Sequence, residues 1–102
     1  MDTVIEVVYV IGSEEKKKLN AILAADPYAP LSFARVAPQL KELEGKLYLY
    51  IKADENFFKW ADEKLKVLTS AKRAEKEEAE RIIKMIHEEE EAAAGGFGGI
   101  FG

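Results

Sequence analysis

The chain has 102 residues, enough for one domain, and 48% of them are hydrophobic, so a core can form but the fold is thermodynamically marginal at this size. It has no cysteine, which excludes disulfides, thiolate metal sites and cysteine nucleophiles; with 33% charged residues and two methionines, this composition fits a reducing cytoplasm and a thermophile. The net charge of −4 is unevenly spread: residues 1–74 hold 12 basic and 11 acidic groups, and residues 75–102 hold 3 and 8, so only the end of the chain is acidic.

Thr3–Ile11 is rich in Val and Ile and almost continuously apolar, which predicts a central strand or one covered on both sides. Its apolar run is too short to cross a bilayer and lacks a basic flank, so neither a leader nor a membrane anchor is expected. Gly12-Ser13 ends the strand, with Ser13 placed to cap a helix that begins at Glu14-Glu15 and carries Leu19, Ile22 and Leu23 on one stripe. Asp26-Pro27 stops it. Leu31–Val36 reads as a strand, and Ala37–Leu43 either extends it or forms a short helix. After the turn Glu44-Gly45-Lys46, the segment Lys46–Ala53 alternates Leu47, Leu49 and Ile51 with Tyr48, Tyr50 and Lys52, the period of a strand.

Asp54 is placed to cap a helix with Phe57, Phe58, Ala61, Leu65 and Leu68 on one face. Thr69-Ser70 is either a break or a polar dip, leaving one helix or two between 54 and 90. Helical character resumes from Ala71, with Ala79, Ile82, Ile83 and Ile86 on one stripe and i, i+4 pairs such as Arg73–Glu77 and Glu80–Lys84. The order predicts an α+β domain over 1–90: a small, mostly antiparallel sheet (strand-helix-strand-strand-helix), helices on one face, and a long C-terminal helix. Residues 91–102 are expected to be a flexible glycine and aromatic tail.

Catalytic chemistry finds no foothold. His87 is the sole histidine and sits among glutamates, where a solvated helix end is the simpler reading than a metal site. Ser13, Ser32 and Ser70 have no base and orienter to complete a nucleophilic set, and the glycines at 95–102 follow the last helix instead of preceding one, so no phosphate loop exists. No catalytic residue, metal, cofactor or small-molecule substrate is expected.

The remaining features concern binding. Lys59, Lys64, Lys66, Lys72, Arg73 and Lys76 concentrate positive charge, as an RNA-phosphate contact requires; interleaved Asp62, Glu63, Glu75 and Glu77 fit an ordinary charged helix face equally well. Tyr48 and Tyr50 lie on the strand face opposite Leu47, Leu49 and Ile51. They suit a dimer interface or base stacking if exposed, and a core if a second layer covers them. Trp60 lies off the main stripe and is a third interface candidate. At the end, Glu88–Glu91 and Ala92–Ala94 precede Phe97, Ile100, Phe101 and Gly102. In a helix the three apolar groups share one face, the pattern of a helix-in-groove ligand, the alternatives being that they pack on their own domain or that the end is merely disordered.

This acidic run ending in apolar-x-x-apolar-Phe-Gly resembles the C-terminal tail of the archaeal ribosomal stalk protein. The resemblance covers about the last fifteen residues and implies that Phe97, Ile100, Phe101 and Gly102 capture translation factors in a groove. Phe97 stands where that family has leucine, Gly98 and Gly99 weaken the helix, and the body does not resemble the stalk's helical dimerisation domain. The body, with Leu-Tyr-Leu-Tyr-Ile running into Asn56-Phe57-Phe58-Lys59-Trp60, is similar to the small dimerisation subunit of the KEOPS tRNA-modification complex. Body and tail together look like the archaeal ribosome dimerisation factor. That resemblance implies a cytoplasmic homodimer that binds the small ribosomal subunit through ribosomal protein and rRNA. It would pair subunits, as in hibernation, or block their joining. The KEOPS likeness leaves a scaffold role in tRNA modification as the alternative.

Overall fold

The computed structural model describes residues 3–25 and 28–101, with side chains described through residue 92. Strand β1 (Val4–Gly12) leads through a 3-10 turn, Ser13–Glu15, into helix α1 (Lys16–Ala24). A second 3-10 turn, Phe33–Val36, precedes strand β2 (Gln39–Leu43), which forms a hairpin with β3 (Lys46–Asp54). Helix α2 (Glu55–Leu65), strand β4 (Lys72–Arg73) and helix α3 (Lys76–Phe101) complete the chain. The sheet is antiparallel throughout, in the order β2-β3-β1-β4. That connectivity is the split β-α-β-β-α-β arrangement, with α3 added after it.

Local chemistry explains most of these elements. The β2–β3 loop is Glu44-Gly45 with both residues at positive φ (53° and 76°), the backbone that a two-residue hairpin needs to match strand twist. Asp54 caps α2 by accepting the Phe57 N–H at 2.8 Å. Ser13 does not serve as the expected cap: α1 starts three residues later, and its N-cap residue Glu15 makes no capping bond to it. The Glu15 carboxylate is turned inward instead.

Three further expectations are corrected. Leu31–Val36 is not a strand; Pro30 and the left-handed backbone of Ala37 (φ 47°) confine Phe33–Val36 to a single tight turn that buries Phe33. Helical character does not resume at Ala71: of the two readings left open at Thr69-Ser70 the break is the one found, and it is followed by β4, an element too short to leave a sequence period, before α3 begins at Lys76. And the helices do not share one face.

The third correction sets the architecture. Side chains of β1 alternate, so Tyr9 and Ile11 point to one side and Val8 and Val10 to the other. On the first side Leu47, Leu49 and Ile51 of β3 join them beneath α1, α2 and the Phe33 turn, through Leu19, Phe57, Phe58, Ala61 and Leu65. On the second side Tyr48 and Tyr50 join Val8 and Val10 beneath Ile82 and Ile86 of α3, both fully buried. The domain is thus three layers, helix-sheet-helix, with two separate apolar cores. Completely burying an isoleucine is worth about 1.5–3 kcal/mol, so this second core is a major part of the stability.

Candidate interaction surfaces

The sites proposed from sequence fall in different places. Tyr48 and Tyr50 are 1% and 6% exposed and offer no surface for a dimer or for base stacking. They are core. Their hydroxyls are nevertheless satisfied by carboxylates: Tyr48 donates to Glu78 of α3 at 2.8 Å, and Tyr50 donates to Glu6 of β1 at 2.5 Å. His87 Nε2 lies 2.5 Å from the same Glu6 oxygen, so a residue expected to be freely solvated closes a three-residue bridge between β1, β3 and α3. The Tyr50 hydroxyl, and after it His87, hold the Glu6 carboxyl below its ordinary range.

The basic set is drawn together in part. Arg73 on β4 lies against Asp62 of α2, with its Nη2 at 3.0 Å from one carboxylate oxygen and its Nε at 3.4 Å from the other. Asp62 also accepts the Tyr9 hydroxyl at 2.7 Å, and burial together with that carboxylate pushes the Tyr9 phenol well above its usual range. The Arg73 guanidinium stands 5.6 Å from the Phe58 ring centre and 5.9 Å from that of Tyr9. So Arg73 is committed to the fold. It seals the seam between α2 and β4 and is not a free phosphate contact.

Around that seam, a hollow of about 300 Å³ is lined by Tyr9, Asp62, Leu65, Lys66, Ala71, Lys72 and Arg73. A second of about 240 Å³ is lined by Ile5, Glu55, Phe58, Lys59 and Arg73. Lys59, Lys66 and Lys72 therefore border one continuous face, Lys66 paired with Glu63 at 2.9 Å. Lys64 points elsewhere, with its ammonium 5.9 Å from the Trp60 ring centre. Lys76 opens α3 and is exposed.

Trp60 keeps part of its surface, the one retained interface candidate of the three aromatics. It packs on Phe33 and Phe57 at centroid distances of 5.0 and 5.4 Å. With Ile22, Ala25, Phe33, Lys64 and Val67 it lines an apolar groove of about 200 Å³ between α1 and α2. Val67, 67% exposed, widens that apolar patch. The side chains of Phe97, Ile100 and Phe101, and Gly102, lie outside the described residues.

Sequence reasoning missed one polar centre altogether. Glu15 is buried, and its carboxylate accepts the N–H groups of Thr69 (3.2 Å) and Ser70 (2.8 Å) and the Ser70 hydroxyl. Ser70 Oγ in turn accepts the Gly12 N–H at 2.9 Å. This cluster fastens the β1–α1 corner to the break after α2. No local pattern announces it, because a glutamate beside three lysines has the composition of a solvated helix start.

No protein-family model matches the chain, and no curated protein and no solved structure matches it. Among the described residues, no group of three or more His, Asp or Glu is gathered as a metal site, and no helix is long and apolar enough to cross a membrane.

Proposed function

We propose that this protein is a non-catalytic, cytoplasmic, translation-linked binding protein. It associates as a homodimer with the small ribosomal subunit, either pairing subunits or blocking their joining, and its C-terminal apolar residues hold translation factors. One observation carries the reading: Glu88–Glu91 followed by Phe97, Ile100, Phe101 and Gly102, a stalk-like docking signal on a body of different architecture.

The geometry supports a binding role in two ways. Carboxylates are spent on joining elements: buried Glu15 and half-buried Glu6, Asp62 and Glu78 each bind groups of a different element. The outer surface keeps Lys72 beside the α2–β4 seam, where a lysine can meet backbone phosphates. Sedimentation of cell extract through a gradient tests the reading. The protein is expected among small-subunit fractions and to leave them as salt is raised. Its presence only at the top of the gradient in low salt, or its stable copurification with a kinase-like and an ATPase-like subunit, overturns it.

A further inference from the structure

Strand β1 is paired along its whole length with β3, but on its outer edge only Tyr9 and Val10 face β4, and the Ala74 N–H reaches the Val8 carbonyl at 2.8 Å. Among the described residues, Val4–Val7 have no partner on that side. The Val8 carbonyl points outward, so by strand alternation the N–H and C=O groups of Val4 and Glu6 point outward too. Such an edge is a template for another strand.

The opposite edge of the sheet is guarded. Strand β2 follows Pro38 and carries Lys41 and Glu42, tied to Glu89 and Lys16. The β1 edge has none of these devices: Val4 is 56% exposed, Ile5 and Val7 are partly so, and the one charge, Glu6, is bound by Tyr50 and His87.

We infer that the Val4–Val7 edge pairs antiparallel with the same edge of a second copy of this chain, about a two-fold axis at Ile5. The result is a continuous eight-stranded sheet. This rests on the homodimer of the proposed function and names its interface. Charge decides both the occupant and the register. An axis at Glu6 would set two carboxylates side by side, whereas an axis at Ile5 opposes Ile5 to Ile5 and Val4 to Glu6. Glu55 and Lys59 of α2 border the same hollow as Ile5, one turn apart. The two-fold therefore brings Glu55 of each copy to Lys59 of the other, a self-complementary pair that a foreign strand would not reproduce. Lys66 and Lys72, beside Tyr9, remain uncovered on both copies.

Analytical ultracentrifugation of the purified full chain, with no ribosome present, tests this. The wild type is expected to be a dimer at micromolar concentration. Val4→Pro, which removes only an outward N–H, should give a monomer with unchanged circular dichroism. Lys59→Glu should weaken the dimer about tenfold, and adding Glu55→Lys to it should restore the dimer. A monomeric wild type, a dimeric Val4→Pro protein, or a double variant no better than Lys59→Glu overturns the interface. A monomer that still sediments with particles overturns the interface and the homodimer, and leaves the ribosomal association standing. A dimer that never does so overturns only the ribosomal reading.

Discussion

The Glu15 carboxylate accepts the backbone N–H of Ser70 at 2.8 Å, joining residues 55 positions apart in the chain. It is one of the two buried polar side chains in the described core, and it orders the loop from which β4 emerges. Replacing Glu15 by alanine strands the Thr69 and Ser70 donors. We expect a fall in Tm of about 5 °C, read by thermal melting, with secondary structure otherwise kept. An unchanged Tm would show that water satisfies these donors equally well.

Stability should decline at both ends of the pH scale. The Ser70 hydroxyl and amide lower the carboxyl of Glu15, and Tyr50, then His87, lower that of Glu6, both from an ordinary 4.5. Groups lowered in the fold stabilise it above the unfolded value, and that contribution is lost as pH drops below about 4.5 through the folded values. Tyr9 and Tyr50 are raised from 10, first by burial and then by their bonds to Asp62 and Glu6. Their contribution is complete below pH 10 and is lost as the pH rises above it. Tyr50 and Glu6 share one bond, so Glu6→Gln should flatten the acid limb and reduce the alkaline one together. Denaturant midpoints across pH check this, and a variant with the wild-type profile would remove the Glu6 bridge from the account.

The second core makes α3 a structural layer of the domain. Ile86→Ala should cost about 2–5 kcal/mol, because it leaves a cavity between α3 and the sheet. Tyr48→Phe keeps the ring and loses only the bond to Glu78, so it should cost about 1 kcal/mol. Urea unfolding measures both. A small loss for Ile86→Ala would mean that α3 leaves the sheet easily.

Deleting residues 97–102 should leave the urea midpoint of the body unchanged and should weaken capture of translation factors in a pull-down. Body and tail are then separable in function. A large loss of stability would mean that these side chains belong to the core.

Much of the fold was legible because periodicity reports it directly. The alternation of Lys46–Ala53 and the Asp54-led stripe of α2 gave the right elements in the right places. The continuous apolar run of β1 already implied cover on both faces, and the stripe Ala79, Ile82, Ile83, Ile86 implied a helix in need of a face. Placing all helices on one side ignored that agreement, and it left Tyr48 and Tyr50 as surface candidates. Other features leave no period to detect. Strand β4 is two residues long, and the Phe33 turn depends on the backbone of Ala37. Long-range polar centres such as Glu15–Ser70 and Asp62–Arg73–Tyr9 exist only once distant segments meet. Among the charged candidates, counting lysines and arginines did not distinguish Arg73, held by Asp62, from Lys59 and Lys72.

The polar contacts of α3 reinforce the setting that its isoleucines define. Ile82 and Ile86 are one turn apart, so a helix slid by four residues would keep one isoleucine on the sheet and put Glu90 in the place of the other. Glu78 under Tyr48 and His87 beside Glu6 have no equivalents four positions along, since Ile82 and Glu91 would take their places. The hydrophobic stripe supplies adhesion, and the two hydrogen-bonded pins admit only one axial setting, so the third layer docks in a single registration.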